Sequence, residues 1–466
     1  MEFLLAIGAL AGLCWATVIC VRGGLVATAL LVLLAGSCLG HPFFNLPAGP
    51  VPLTLDRMLL VVLLAQCVVY RRWGLTDPKP ATKTDYLLVA FLIVLTVSTL
   101  THDYRYRNWL PASQLIFFYF LPAAMYWVMR QTRWTAQGAG CLFASLGLFA
   151  VYLSITAMAE THQVWSLVYP KYIASPEYSE FLGRGRGPFL NPAANGMVLG
   201  LGMCAALMWW PQLRRRGKLL LLASLPVFAY GVYSTFTRSA WLGAGLGLLV
   251  VVALTTPRGW RLPVVGGAML VSLAIVAGGW EHLVAFKRDK YVSVEDTAES
   301  ARLRPILLVV AWNMFLDRPL LGCGYGQYIE ESPAYLDDRT SDLPLEKARP
   351  YRQHNVWLSL LTETGLIGMG LFTALMFSWT RIAWQLWTSP RAPDWVRQMG
   401  LLFLACEGVY LPNAMFQDMS IIPMVNMILF FLAGAVFSLT PWLAAADAPR
   451  PLRVWEPEGE LALAAH

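Results

Sequence analysis

Apolar runs of roughly twenty residues, broken by short polar turns, recur along most of the chain; a run of that length spans a hydrocarbon core as a helix. They lie at about 3–21, 25–40, 55–70, 85–100, 112–130, 138–158, 188–210, 218–235, 239–254, 263–279, 355–380, 398–412 and 420–441. This pattern predicts an all-α polytopic protein with twelve or thirteen crossings. Only Arg22-Gly23-Gly24 separates the first two runs, which form either a hairpin or one re-entrant element. The first run has no basic n-region followed by a small-residue cleavage site and reads as a retained span. One polar interval, 280–354, is far longer than a helix connection needs, and such loops carry function or disorder. Inside it, Arg302 to Phe315 reads as a helix with Ser300 or Thr297 as cap and Pro305 in its first turn. It is too short and too flanked by charge to span, so it is expected to lie in the membrane interface. The chain thus divides into N-terminal helices (1–180), central helices (181–279), the long loop (280–354), C-terminal helices (355–445) and a tail (446–466).

Composition agrees. The chain is 57% hydrophobic and 14% charged, against roughly 25% charged in soluble domains. Its net charge of +7 sits in short loops between apolar runs, which argues against nucleic acid as a partner. Of the eight cysteines only Cys323 falls in a long loop, so no disulfide framework or metal cluster is expected. Basic residues orient the helices. Arg71, Arg72, Lys79, Lys83, Arg130, Arg133, the cluster Arg214-Arg215-Arg216 with Lys218, Arg258, Arg261, Arg381, Arg391 and Arg397 all fall on one side if the helices alternate. That side is predicted to be cytoplasmic. The segments 41–54, 101–111, 159–187, 235–238, 280–354 and 412–419 then face outward.

The outward face gathers the candidate chemistry. His354 stands where a basic loop, Arg349-Pro350-Tyr351-Arg352-Gln353, meets a long apolar run beginning at Asn355. Histidine exchanges protons near neutrality, so His354 is the best-placed outward base; the plainer reading is that it anchors the helix at the interface. His102, His162 and His282 have weaker settings. Arginines cluster nearby in the sequence: Arg184 and Arg186 before Gly187-Pro188-Phe189-Leu190-Asn191-Pro192, Arg238 in the tight turn Thr235 to Ala240, Arg302 and Arg304 on the loop helix, and Arg352. A guanidinium beside hydrocarbon is costly unless paired, although any one of them can snorkel to headgroups. Few carboxylates accompany them, so a ligand anion is the natural partner, and the planar fork suits a pyrophosphate. Glu363 falls on roughly the opposite side of the helix from His354 and reads as a buried structural partner for a polar group. Gly322 and Gly324, within Gly322-Cys323-Gly324-Tyr325-Gly326, predict a tight backbone-rich turn that lets a ligand approach.

No Asp-x-Asp pair, Walker A motif, dinucleotide fingerprint or Ser-His-Asp pattern is legible, so no metal, nucleotide or other cofactor is expected. The residues suit a transfer in which arginines hold a departing pyrophosphate and a base activates a hydroxyl.

Four segments then carry a resemblance. His354-Asn355 followed by Leu358, Leu361, Glu363, Gly365 and Gly368, the stretch Phe315 to Gly324, the turn Thr237-Arg238-Ser239-Ala240, and Arg186 to Asn195 resemble, in the same order, motifs of the O-antigen ligase and polymerase superfamily. Thr237 stands where serine is usual and Ser239 where glycine is common, and Asn195 falls one position late. The resemblance implies a GT-C-type membrane glycosyltransferase of the bacterial inner membrane. Such an enzyme takes a glycan from undecaprenyl pyrophosphate on the periplasmic side, without metal and with inversion. It implies His354 as base, with Arg238 and Arg302 or Arg304 on the donor's pyrophosphate, and Arg186, Asn191, Arg352 and Asn355 as further binding residues. The acceptor would be a lipid A core sugar, another lipid-linked glycan or a protein side chain. The rival expectation is a flippase or transporter of the same lipid-linked glycan, which predicts charged groups near the bilayer midplane and helices broken by Gly/Pro pairs.

Overall fold

The computed structural model describes residues 2–46, 52–102, 110–284, 294–337 and 342–443; the tail 446–466 and the side chain of His282 lie outside what it describes. Every apolar run becomes helix. In chain order these are α1 (Glu2–Cys38), α2 (Leu55–Arg72), α3 (Lys83–Thr101), α4 (Pro111–Leu115) continuing through a π turn (Ile116–Phe120) into α5 (Leu121–Gln131), α6 (Ala136–Thr161), α7 (Pro192–Trp209), α8 (Arg215–Ser234), α9 (Arg238–Thr255) and α10 (Arg258–Val284). After them come α11 (Val294–Asp317), the short α12 (Tyr328–Glu331), α13 (Val356–Thr388), α14 (Asp394–Phe416) and α15 (Pro423–Ser438). Among the described residues the β content is one isolated bridge, Leu46 to Leu53.

Ten helices are long and apolar enough to cross a membrane among the described residues, fewer than the twelve or thirteen expected. The runs 3–21 and 25–40 are one helix bent at Gly24, whose φ of +65° glycine adopts without a Cβ clash. Helix α2 is present but carries Asp56, Arg57, Arg71 and Arg72. The side chains of α10 are described only in part.

Small residues set the central packing. In hydrocarbon there is little hydrophobic drive between helices, so close approach through glycine and alanine does that work. A Cβ on Gly196 would lie 2.3 Å from the Ala240 methyl, and one on Gly247 would lie 2.4 Å from Val409. These contacts lock α7, α9 and α14 together. Gly243 also meets Val409 and Asn413 of α14, so α9 and α14 run antiparallel and Arg238 comes level with Phe416.

Helix α13 is not the single straight span expected at 355–380. It breaks at Gly365 (φ +64°, ψ −164°). The part from 366 to 388 is about 34 Å long by helical rise, as is α14 beside it. Gly400 of α14 packs on Ala383 and Leu386 at one end. At the other end Asn355 donates a 3.0 Å hydrogen bond to Met415 O, so 356–364 lies across the end of the bundle rather than extending it. Helix α11 lies across the same end: Arg304 sits over the Phe416 ring, while Pro319, just past the helix, bonds Leu366. Helix α11 thus packs across the end of the bundle instead of alongside its spans. Its start differs: it begins at Val294, so Pro305 lies inside the helix and neither Thr297 nor Ser300 is its cap. Glu295, Asp296 and Glu299 make the added turns acidic, which suits a helix N-terminus.

Candidate functional site

The end of the bundle just described brings together α6, the 162–190 loop, the turn before α9, α11, the start of α13 and the end of α14. The turn 235–237 is shaped from outside. Buried Arg184 donates to the carbonyls of Thr235 and Phe236 at 3.2–3.3 Å and to Thr237 Oγ1 at 2.7 Å, and Gly185 N donates to Ser234 O at 2.8 Å. Phe236 takes a left-handed conformation (φ +46°). Arg238 is thereby fixed as the first residue of α9, half-buried at the rim.

Arg186 does something else. It is fully buried, donates to the carbonyls of Tyr178, Glu180 (2.5 Å) and Ile173 (2.7 Å), and lies 3.7 Å from Glu160. Burial lowers its pKa and the Glu160 carboxylate opposes that. Its fork is filled by protein, so it braces the 173–187 loop and is not presented to a ligand in this conformation. Asn191 is likewise engaged: its side chain caps α7, accepting from Ala193 N (2.9 Å) and Ala194 N (3.1 Å).

The break at Gly365 explains the loop before it. A break inside a membrane helix frees carbonyls and amides that lipid cannot satisfy. The segment 319–324 supplies the partners. Leu366 N donates to Pro319 O (2.9 Å) and Ile367 N to Leu320 O (3.3 Å), while Cys323 N donates to Thr362 O (2.9 Å) and Gly324 N to Glu363 O (3.0 Å). The backbones approach so closely that a Cβ on Gly322 would lie 2.4 Å from Glu363 C, and one on Gly365 would lie 2.3 Å from Leu320 C. The expectation that Gly322 and Gly324 admit a ligand is therefore corrected: what approaches Gly322 is α13, and what approaches Gly324 is His102, 2.6 Å from the Cβ position. Glu363, nearly inaccessible, accepts from Gly326 N at 3.0 Å and so holds the far side of this loop.

His354 precedes the cap of α13. Its φ of +50° turns the chain sharply, and Asn355 Oδ1 then accepts from Leu358 N at 3.0 Å. Asn355 is thus bound to the end of α14 by its amide nitrogen and caps α13 with its amide oxygen. Of the three residues expected to carry the reaction, Arg304 lies within charge reach of each of the other two. His354 has its pKa lowered by burial and then by the Arg304 charge. Arg304, half-buried, has its own lowered by burial and then by Arg238. Arg302, two residues away and so on another side of α11, is exposed. Of these two arginines, Arg304 is the one whose charge reaches His354.

Within charge reach of Arg352 lies a polar group that the sequence reading missed. Asp418, buried between α14 and α15, accepts from Ser420 N (3.2 Å) and Ser420 Oγ (2.5 Å). Burial raises its pKa, against the Ser420 hydrogen bond and the charge of Arg352. Arg352 therefore bears on an internal carboxylate. The signal was present in Gln417-Asp418-Met419-Ser420, a lone acid in a short turn between two apolar runs.

Chemically, the rim offers an imidazole that burial and Arg304 push toward its neutral form, and a second guanidinium, Arg238, whose charge opposes that of Arg304. An anion between Arg238 and Arg304 would relieve that repulsion. Among the described residues no three His, Cys, Asp or Glu side chains converge to hold a metal ion.

Residues 223–373 match the family model of the O-antigen ligase. The match covers less than half of the chain, and it spans Arg238, Arg304, the 319–324 loop, His354 and the break at Gly365. It supports the resemblance read from the sequence and a glycosyltransferase-like ligase or polymerase role for a multi-pass membrane protein. Comparison with curated proteins returned no match.

Proposed function

We propose that the chain is a glycosyltransferase that moves a glycan from an undecaprenyl pyrophosphate carrier to an acceptor hydroxyl, on the periplasmic side of a bacterial inner membrane. Arg238 and Arg304 hold the donor's diphosphate. His354 takes the proton of the acceptor hydroxyl as its oxygen attacks the anomeric carbon from the face opposite the diphosphate. The bond from that carbon to the diphosphate oxygen breaks, the configuration inverts, and the two arginines neutralise the charge that gathers on the leaving group. No metal takes part. The acceptor belongs to a lipid A core sugar, a second lipid-linked glycan or a protein side chain.

One observation supports this reading: Arg304, over the Phe416 ring at the end of α14, lies within charge reach of His354 on one side and of Arg238 on the other. A charge-starved rim of this kind favours a bound anion beside a neutral base. The transport alternative gains no support from the broken helix, because the groups freed at Gly365 are taken up by the 319–324 loop instead of facing a midplane site.

The test uses purified protein in nanodiscs with a lipid-linked oligosaccharide and each acceptor class in turn. Wild type should release undecaprenyl pyrophosphate, in EDTA as in its absence, and His354→Ala should not. Equal release by both would remove His354 from the mechanism. Movement of the intact lipid-linked glycan without release would establish the transport reading.

A further inference from the structure

Beside Arg238, the hairpin of α8 and α9 carries a row of aromatic rings that the proposed reaction does not use. Tyr233 stacks on Trp241, with ring centroids 5.5 Å apart and 13° between the planes. It meets Phe236 edge-on at 5.5 Å and Tyr230 at 5.9 Å. Hydrogen bonds fix both ends of the row. Trp241 Nε1 donates to Val232 O at 3.0 Å, and the Tyr230 hydroxyl lies 2.8 Å from Nε2 of His162, at the end of α6. The rings stand at one level: Tyr230 is one turn short of the end of α8 at Ser234, and Trp241 is one turn past the start of α9 at Arg238. With the indole N–H and the Tyr230 hydroxyl directed to the protein, the row presents ring faces outward. Tyr230 and Tyr233 remain 38% and 41% exposed.

Helix geometry joins this row to Arg238. Trp241 and Leu242, three and four residues on, lie on the same side of α9 as Arg238, and Gly245 and Leu246 continue that side down the helix. Leu242 is 56% exposed and Leu246 37%, and among the described residues nothing lies within 4 Å of a Cβ built on Gly245. Gly243 and Gly247, which pack on Val409, take another side. From the cation downward, the strip therefore reads guanidinium, aromatic rings, aliphatic surface. A polyprenyl diphosphate has the same order: an anion, then at once a planar alkene unit, then more apolar chain. The ring faces suit that planar double bond, which an acyl lipid lacks beside its phosphate.

We propose that this aromatic ledge seats the first isoprene units of the donor's carrier lipid, and that Tyr233 and Trp241 make the protein selective for an unsaturated first unit. The inference rests on the function proposed above and deepens it, since it names what reads the lipid part of the donor. The lipid enters from the bilayer along α8 and α9, and its diphosphate comes to rest at Arg238. A belt of aromatic rings that only anchors a helix at the headgroups would serve any lipid alike; a ledge beside the diphosphate discriminates.

The test uses two donors that share one glycan diphosphate and differ only in the lipid: a fully unsaturated polyprenyl chain, and the same chain with its first isoprene hydrogenated. In nanodiscs, wild type should favour the unsaturated donor about three- to tenfold in kcat/KM, the worth of one ring contact. Tyr233→Leu keeps apolar bulk without the ring and should erase the preference, lowering kcat/KM more for the unsaturated donor than for the other. Tyr233→Phe keeps the ring and should keep the preference. A second readout needs no turnover: a photoreactive group on the first isoprene should crosslink within 230–246. Wild type that handles both donors alike, a loss in Tyr233→Leu that is equal for both, or crosslinks confined to other helices would each overturn the ledge alone. If wild type turns over neither donor, the proposed function fails and the ledge with it.

Discussion

Gly365→Ala is the substitution from which the fold predicts most. At φ +64° and ψ −164° a residue with a Cβ is strained by about 1–3 kcal/mol. The added methyl would also lie 2.3 Å from the backbone of Leu320, and no side chain can yield there. Relief requires segment 319–324 to move off α13, breaking some of the four backbone hydrogen bonds that join them, each worth about 0.5–1.5 kcal/mol net. The expected loss is about 2–6 kcal/mol, and activity falls with it because the same segment fixes the end of α11 and so Arg304. Gly370→Ala is the control. It lies on the same helix with nothing within 4 Å of the Cβ position, and alanine should there be neutral or stabilising by up to about 1 kcal/mol. Tryptophan-fluorescence melts and transfer rates in the same detergent compare the two. If Gly365→Ala melts with Gly370→Ala and keeps its rate, the break is not held by the loop and the argument fails.

Further outcomes follow from the same contacts. Burial and the Arg304 cation lower the pKa of His354, so the acid limb of kcat/KM should lie below the ordinary histidine range near 6.5. Arg304→Gln should move that limb upward, and in wild type the limb of kcat should lie above that of kcat/KM, because bound diphosphate offsets the cation. Arg186→Ala leaves Glu160 buried without its cation and should cost about 3–5 kcal/mol in a melt, part of which Glu160→Gln in the same chain restores. Arg184→Ala strips donors from the carbonyls of Thr235 and Phe236, at about 1–3 kcal/mol for each group left unsatisfied. Donor KM should rise as Arg238 loosens, while the pH profile keeps its shape.

The helices were legible because lipid imposes a length and a polarity that a sequence displays without tertiary context. What composition alone missed was backbone geometry. Gly24 reads as a turn between two spans, yet the structure makes it a bend in one, since a single glycine at positive φ redirects a helix without ending it. Gly365 gives no warning in an apolar run; only the loop that pairs with it shows why it is there. The arginines illustrate a second limit. Arg184, Arg186, Arg238 and Arg304 have similar sequence settings, but local folding assigns the first two to bracing loops and the others to the rim. That division depends on which carbonyls lie within reach, which no spacing reveals. His354 could be singled out because its place at the head of an apolar run is itself a sequence feature, whereas Asp418 was overlooked because burial, not spacing, joins it to Arg352.

The central claim is that Arg238, Arg304 and His354 act on one lipid diphosphate. An experimental structure with a non-transferable glycan-diphosphate analogue tests it most directly. The account predicts diphosphate oxygens within hydrogen-bonding distance of both guanidinium groups, with the anomeric carbon facing the imidazole. A diphosphate bound instead at the opposite end of the bundle, near Arg214 to Arg216, or one that leaves His354 remote from the anomeric carbon, would contradict it.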